Sequence, residues 1–120
     1  MIIEATEVEL PRAAIAVSQA RTLVREFACD LAPMRRADAM LAVSELVTNA
    51  YLYGQGPIRL RLEPSGPGLR VSVQDEGNGT HRAARSGLRL GIVGILSDRW
   101  GVEEAGATAW CEIGTAPVRA

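Results

Sequence analysis

The chain is predicted to form an α+β fold, a two-layer α/β sandwich in which helices cover one face of a mostly antiparallel sheet. Three observations predict it. Between residues 58 and 74, Ile58, Leu60 and Leu62 alternate with Arg59, Arg61 and Glu63, the turn Pro64-Ser65-Gly66-Pro67-Gly68 follows, and Leu69, Val71 and Val73 alternate with Arg70, Ser72 and Gln74. A hairpin patterned this way has one face to be covered and one largely wet. Segments on both sides of it carry apolar residues at helical spacing, and a second strand pair closes the chain.

Residues 2–10 alternate weakly and read as a strand, after which Pro11 opens a segment whose apolar positions Ala16, Ala20, Leu23, Val24, Phe27 and Leu31 are spaced for a helix. Ala32-Pro33 interrupts that pattern. A second helix is predicted from about 35 to 53, ended by Gly54 and Gly56. After the hairpin, residues 76–87 are polar and glycine-rich and read as a mobile loop. Leu88, Ile92, Ile95 and Leu96 then fall on one helical face, and residues 100–102 and 108–113 form a strand pair around a turn at Gly106. The last seven residues read as a tail.

With 120 residues, of which 48% are hydrophobic, the chain suits one domain with a single core. Cys29 and Cys111 sit among apolar neighbours without a nearby Cys or His, so both read as buried small hydrophobes in a reducing compartment. The acidic start and the lack of a long uncharged apolar stretch predict a cytoplasmic protein that does not cross a membrane. A net charge of −1 lacks the basic footprint of a nucleic-acid binder, so no direct nucleic-acid contact is expected. All thirteen basic residues are arginines, so no lysine is available to bind phosphate.

Three features point to a site. Glu45 and Asn49 place a carboxylate and a carboxamide one turn apart on an otherwise apolar helix, an arrangement that can hold a ligand or can be a half-exposed polar stripe. Asp75 continues the inward phase of Leu69, Val71 and Val73, and a carboxylate there must find donors or pay several kcal/mol in desolvation. It can accept a hydrogen bond from an exocyclic amine such as that of adenine, while Gly77 and Gly79 let backbone approach a flat ring. Finally, the glycine-rich stretch that opens the third helix at Gly87 offers free N–H groups and the positive end of a helix dipole to phosphates. An amide oxygen like that of Asn49 suits Mg²⁺, and Glu45 one turn away is placed to act as a base beside a γ-phosphate.

These segments, Glu45-Leu46-Val47-Thr48-Asn49-Ala50, Asp75-Glu76-Gly77-Asn78-Gly79 and Gly87-Leu88-Arg89-Leu90-Gly91-Ile92-Val93, resemble the N, G1 and G2 boxes of the Bergerat-fold ATPases, the superfamily of gyrase-type topoisomerases and sensor histidine kinases. With Leu96-Ser97-Asp98-Arg99-Trp100-Gly101 and Gly106-Ala107-Thr108 in addition, the chain is most similar to the stand-alone bacterial anti-sigma factor serine/threonine kinases. The resemblance implies a single histidine-kinase-like ATPase domain over 1–120, with its core at about 10–114, and cofactors ATP and Mg²⁺. It also implies two partners, a sigma factor that is sequestered and an anti-anti-sigma protein of the STAS type that is phosphorylated, and a homodimeric state.

Carried over by position, Glu45 is the catalytic base and Asn49 the Mg²⁺ ligand. Asp75 reads the adenine amino group, Gly77 and Gly79 shape the base pocket, and Thr108 supports it. Residues 80–88, with Arg85, Gly87 and Leu88 beside the phosphates, form the ATP lid. Two positions depart from the family pattern. Arg89 stands at the middle glycine of the usual Gly-x-Gly-Leu lid motif, where a guanidinium can bind phosphate or can fill the site and leave a module that binds without phosphotransfer. Tyr53 stands where these proteins commonly have His, and it reads as half-buried packing. His81 reads as a solvated loop residue, Arg82 and Arg85 can reach phosphate from the lid or be solvated loop charge, and Trp100 and Trp110 read as core or interface aromatics.

Overall fold

Ile58, Leu60, Leu62, Leu69, Val71 and Val73 are all buried, while the arginines between the first three are exposed, so the two-residue period of the hairpin is realised as one dry and one wet face. The computed structural model describes residues 4–77, 87–103 and 107–115, without the side chains of 87–89. Within them run β1 (Thr6–Leu10), α1 (Ile15–Phe27), α2 (Pro33–Tyr53), β2 (Ile58–Ser65), β3 (Gly68–Gln74), α3 (Gly87–Leu96), β4 (Arg99–Glu103) and β5 (Thr108–Ile113). The strands make one sheet ordered β1-β2-β3-β5-β4, antiparallel at every pairing. Helices cover its dry face, with α2 packed on the sheet between α1 and α3. The α+β sandwich expected from the pattern is the fold observed.

Element ends shift for local reasons. Proline at the first position lets α2 start at Pro33, two residues ahead of the expected start, because the missing N–H there has no helical partner to lose. α1 stops at Phe27, and Leu31 packs into the core from the turn that follows rather than from the helix. In the hairpin the ladder extends to the Ser65–Gly68 pair, leaving a tight turn at Gly66 and Pro67 with Gly66 at φ +56°. Pro64 is tolerated inside β2 because β1 reaches only as far as Leu62 and asks for no hydrogen bond there.

Two expectations are corrected. α3 buries Leu90, Val93 and Leu96, whereas Ile95 is 61% exposed and lies off the inward face. Its sequence is apolar nearly all round, so packing against α2 rather than periodicity selects the face. Cys29, just past the end of α1, is exposed; only Cys111 is buried, where removal from water pushes its thiol up to about 12.

Arg35 ties the sandwich together at the N-terminal end of α2. It is 1% exposed and donates to the Leu96 and Gly114 carbonyls and to the carboxylates of Asp38 and Asp98. One guanidinium therefore joins α2, the end of α3 and the chain leaving β5. On the wet face, Glu63, Arg70, Glu112 and Arg99 form a chain of ion pairs, and Arg70 stacks 4.0 Å from the centroid of the Trp110 ring. Burial opposes ionisation of Glu112, but hydrogen bonds and charge from Arg70 and Arg99 outweigh it and hold the carboxyl below its ordinary value. Among the described residues, no helix is long and apolar enough to cross a membrane.

Candidate functional site

α2 is built of small and apolar residues on the side that meets the sheet, where Ala39, Ala42, Val43, Leu46 and Ala50 are buried. Met40, on its α1 side, lines a surface groove with Ser18, Arg21, Thr22 and Arg25 of α1. Asn49 lies nine residues later, about two and a half turns, and so points to the opposite flank, away from α1. Its carboxamide is 0% exposed, and among the described residues neither Nδ2 nor Oδ1 makes a hydrogen bond. A buried amide with both polar atoms idle costs on the order of 1–3 kcal/mol, which a folded chain retains where another group completes it. Glu45, one turn earlier on the same flank, is half-buried.

Asp75 stands where the antiparallel registers converge. The ladder with β5 continues one residue beyond Gln74, so the Asp75 N–H donates to the Ala107 carbonyl at 3.3 Å. Its inward phase buries the side chain to 4% exposure beneath the end of α2. The carboxylate Oδ1 accepts from the Gly77 N–H at 2.7 Å and the Gln55 N–H at 3.5 Å, while the Glu76 N–H donates to the Gln55 carbonyl at 2.7 Å. Gly54 packs directly on the other oxygen, so closely that a Cβ would collide with Oδ2. The turn after α2 and the end of β3 are thus stitched into one wall, with Asn49 little more than a turn along α2 from Gly54.

The structure places Glu45 and Asn49 one turn apart on α2, and Asp75 and Gly77 just beyond β3, where Asp75 is joined to the turn that ends α2. Gly87 is the first residue of α3, as the glycine-rich entry to a helix requires. Thr108 is not brought to this side: it pairs with Gln74 on β3 and lines the outer face with Arg59, Arg61, Arg70 and Ser72, while Ala107 meets Asp75 through its backbone. Ala107 adopts φ +48°, a left-handed conformation that residues other than glycine rarely take. Tyr53 is half-buried, and Trp100 on the edge strand β4 is 43% exposed with its indole against Gly94. Gly79, His81, Arg82, Arg85 and Gly106, and the side chains of Leu88 and Arg89, lie outside the described residues.

Sequence reasoning missed Arg12. Its guanidinium donates to the carbonyls of Ala50, Tyr51 and Gly56 at 3.1, 2.9 and 2.7 Å, capping the C-terminal end of α2 from the chain that leaves β1. The signal was the hairpin-like register, in which Leu10 opposes Ile58 and the next positions outward set Arg12 opposite Gly56.

Chemically, the site offers a carboxamide without partners among the described residues, a half-buried carboxylate and a second carboxylate held by backbone N–H groups. Among the described residues no cluster of three or more His, Cys, Asp or Glu exists, so a cation here would be held by few protein atoms. That suits Mg²⁺, which keeps several waters and is shared with phosphate oxygens, and the idle carboxamide of Asn49 fits such a role.

No curated protein matches the sequence. Among solved structures, the RsbU and RsbW domains of Rv1364c from Mycobacterium tuberculosis superpose with a TM-score of 0.73 at 21% identity over 93% of this chain, a likeness of fold. The chain spans about a third, 32%, of that structure's length. The family model for the histidine kinase-like ATPase domain matches residues 10–109, the stretch that runs from the end of β1 through α2, Asp75 and α3 into β5. On that match, made by most of the chain and by the elements that build the site, the protein belongs to the histidine kinase-like ATPase domain family.

Proposed function

We propose that this chain is an anti-sigma regulatory kinase: it binds ATP with Mg²⁺, phosphorylates a serine or threonine on an anti-anti-sigma protein of the STAS type, and sequesters a sigma factor. The observation that carries the nucleotide half of this reading is Asn49, a fully buried carboxamide whose two polar atoms find no partner among the described residues. The order of the Glu45–Asn49, Asp75–Gly77 and Gly87 segments supports the family's nucleotide chemistry, and the likeness in fold to an RsbW domain supports the regulatory half.

In this reading Asp75 accepts a hydrogen bond from the adenine amine, and the Gly77 and Gln55 N–H groups on its Oδ1 hold the side chain in place. Asn49 would hold Mg²⁺ through Oδ1, and the bound cation would neutralise charge on the phosphate oxygens. Glu45 takes the proton of the partner's hydroxyl as that oxygen bonds to the γ-phosphorus and the bond to the bridging oxygen breaks, releasing ADP. The N-terminus of α3 at Gly87 supplies N–H groups to the phosphates.

The test is to incubate the protein with Mg²⁺-ATP and a STAS-type antagonist encoded beside it and to map the phosphorylated residue. Phosphoserine or phosphothreonine that disappears in Glu45→Ala, with ATP binding retained, is the expected result. Binding without transfer favours the second reading, a nucleotide-binding regulatory module, for which Arg89 in the lid motif is the specific ground. No ATP binding at all sinks both.

A further inference from the structure

The turn that follows α2 is tied down through its backbone. The Gly54 N–H donates to the Ala50 carbonyl, the Gln55 N–H to Asp75, the Gln55 carbonyl accepts from Glu76, and the Gly56 carbonyl accepts from Arg12. The turn is therefore gripped from two sides. On one side the Arg12 guanidinium gathers three carbonyl oxygens through Nε, Nη1 and Nη2; on the other, the same turn holds the Asp75 carboxylate and the Glu76 backbone. Gly56 sits between them at φ +68°, so the turn's path is one that an L side chain would resist, and it depends on contacts at both ends.

We propose that Arg12 is a positioning residue for base recognition: by clamping the end of α2 and the turn beyond it, it aims the Asp75 carboxylate and so sets the preference for a nucleotide carrying an exocyclic amine. The inference rests on reading Asp75 as the adenine contact. The chemistry is specific to arginine. Three oxygens from residues 50, 51 and 56 are met by three nitrogens of one planar fork, whereas a lysine ammonium is a single point that cannot span the same three acceptors. The positive charge also meets the negative end of the α2 dipole, which holds the fork in place although the residue is exposed.

A carboxylate that reads one amine loses its discrimination when it is displaced, and a shift of about 1 Å caused from a distance can cost on the order of a hundredfold. The experiment compares wild type, Arg12→Ala and Arg12→Lys in two measurements: affinity for ATP against the purine riboside triphosphate that lacks the 6-amino group, and hydrogen exchange at the Gln55 and Gly77 amides. The expected result is a 10- to 100-fold fall in the ATP preference for Arg12→Ala, partial recovery in Arg12→Lys, and faster exchange at both amides while core amides of β3 stay protected. An unchanged preference, with both nucleotides weakened alike, or unchanged exchange at Gly77, makes Arg12 a helix cap only and overturns the proposal. Should the wild type bind neither nucleotide, the adenine reading and the base-recognition role fall together, and the exchange data still show whether Arg12 aims Asp75.

Discussion

Gly54 and Asp75, 21 positions apart, touch so closely that a Cβ at position 54 would collide with Oδ2. The backbone at Gly54 has φ −92° and ψ −171°, which any residue adopts, so the demand for glycine is steric. Gly54→Ala is expected to push the Asp75 side chain out of place, lowering stability by about 1–3 kcal/mol through overpacking. Urea unfolding measures the first effect, and calorimetric ATP titration should show a weaker complex; wild-type affinity in this variant would mean that Asp75 does not contact the base.

Asn49 sets stability against binding. Replacing its idle carboxamide with an apolar side chain of similar size, Asn49→Leu, is expected to raise the stability of the nucleotide-free protein by about 1 kcal/mol while abolishing Mg²⁺-dependent ATP binding. Thermal melts with and without Mg²⁺-ATP separate the two effects. A variant that is destabilised and still gains stability from Mg²⁺-ATP would contradict the role assigned to this residue.

Arg35 provides the opposite case, a buried guanidinium whose three nitrogens all donate hydrogen bonds. Arg35→Ala leaves the Leu96 and Gly114 carbonyls and two carboxylates without their donor and is expected to cost about 3–5 kcal/mol. Arg35→Lys should recover only part of it, since the bonds run in several directions from one plane. The residue lies 14 positions from Asn49, roughly 21 Å along α2, so ATP affinity measured well below the melting temperature should be unaffected.

Acid should loosen the wet face of the sheet. The Glu112 carboxyl is held below its ordinary value of 4.5, so its pairing with Arg70 and Arg99 contributes stability that is complete above that pH and is lost as pH falls through the folded-state value. As pH falls below 4.5 the urea midpoint should fall more steeply in the wild type than in Glu112→Gln, which cannot titrate. Parallel curves for the two proteins would show that the ion-pair chain through Glu112 adds nothing measurable.

Much of the fold was legible because the hairpin obeys a strict two-residue period, and that period alone places Asp75 inward. The Glu45–Asn49 pair was legible for a similar reason, since a polar residue among Ala, Val and Leu stands out at helical spacing. α3 resisted the same treatment: Leu-Arg-Leu-Gly-Ile-Val-Gly-Ile-Leu has too few polar residues to mark a solvent side, and Ile95 was assigned inward where α2 leaves it outside. Cys29 looked buried from its neighbours because composition cannot tell that α1 ends two residues earlier. Nothing local sets Arg12 or Arg35 apart from surface charge, because the carbonyl oxygens they bind come from residues distant in sequence.

The order of elements, the wet and dry faces of the hairpin and the three segments of the candidate site are properties of the sequence itself, because each depends on residues within a turn or two of one another. Only the tertiary structure decided that Asp75 is bonded to the turn that Arg12 grips, that Gly54 must lack a side chain, and that Thr108 faces the outer side of the sheet. Those relationships join residues 20 to 60 positions apart, and they follow from strand register and helix packing, which local patterning constrains but does not state.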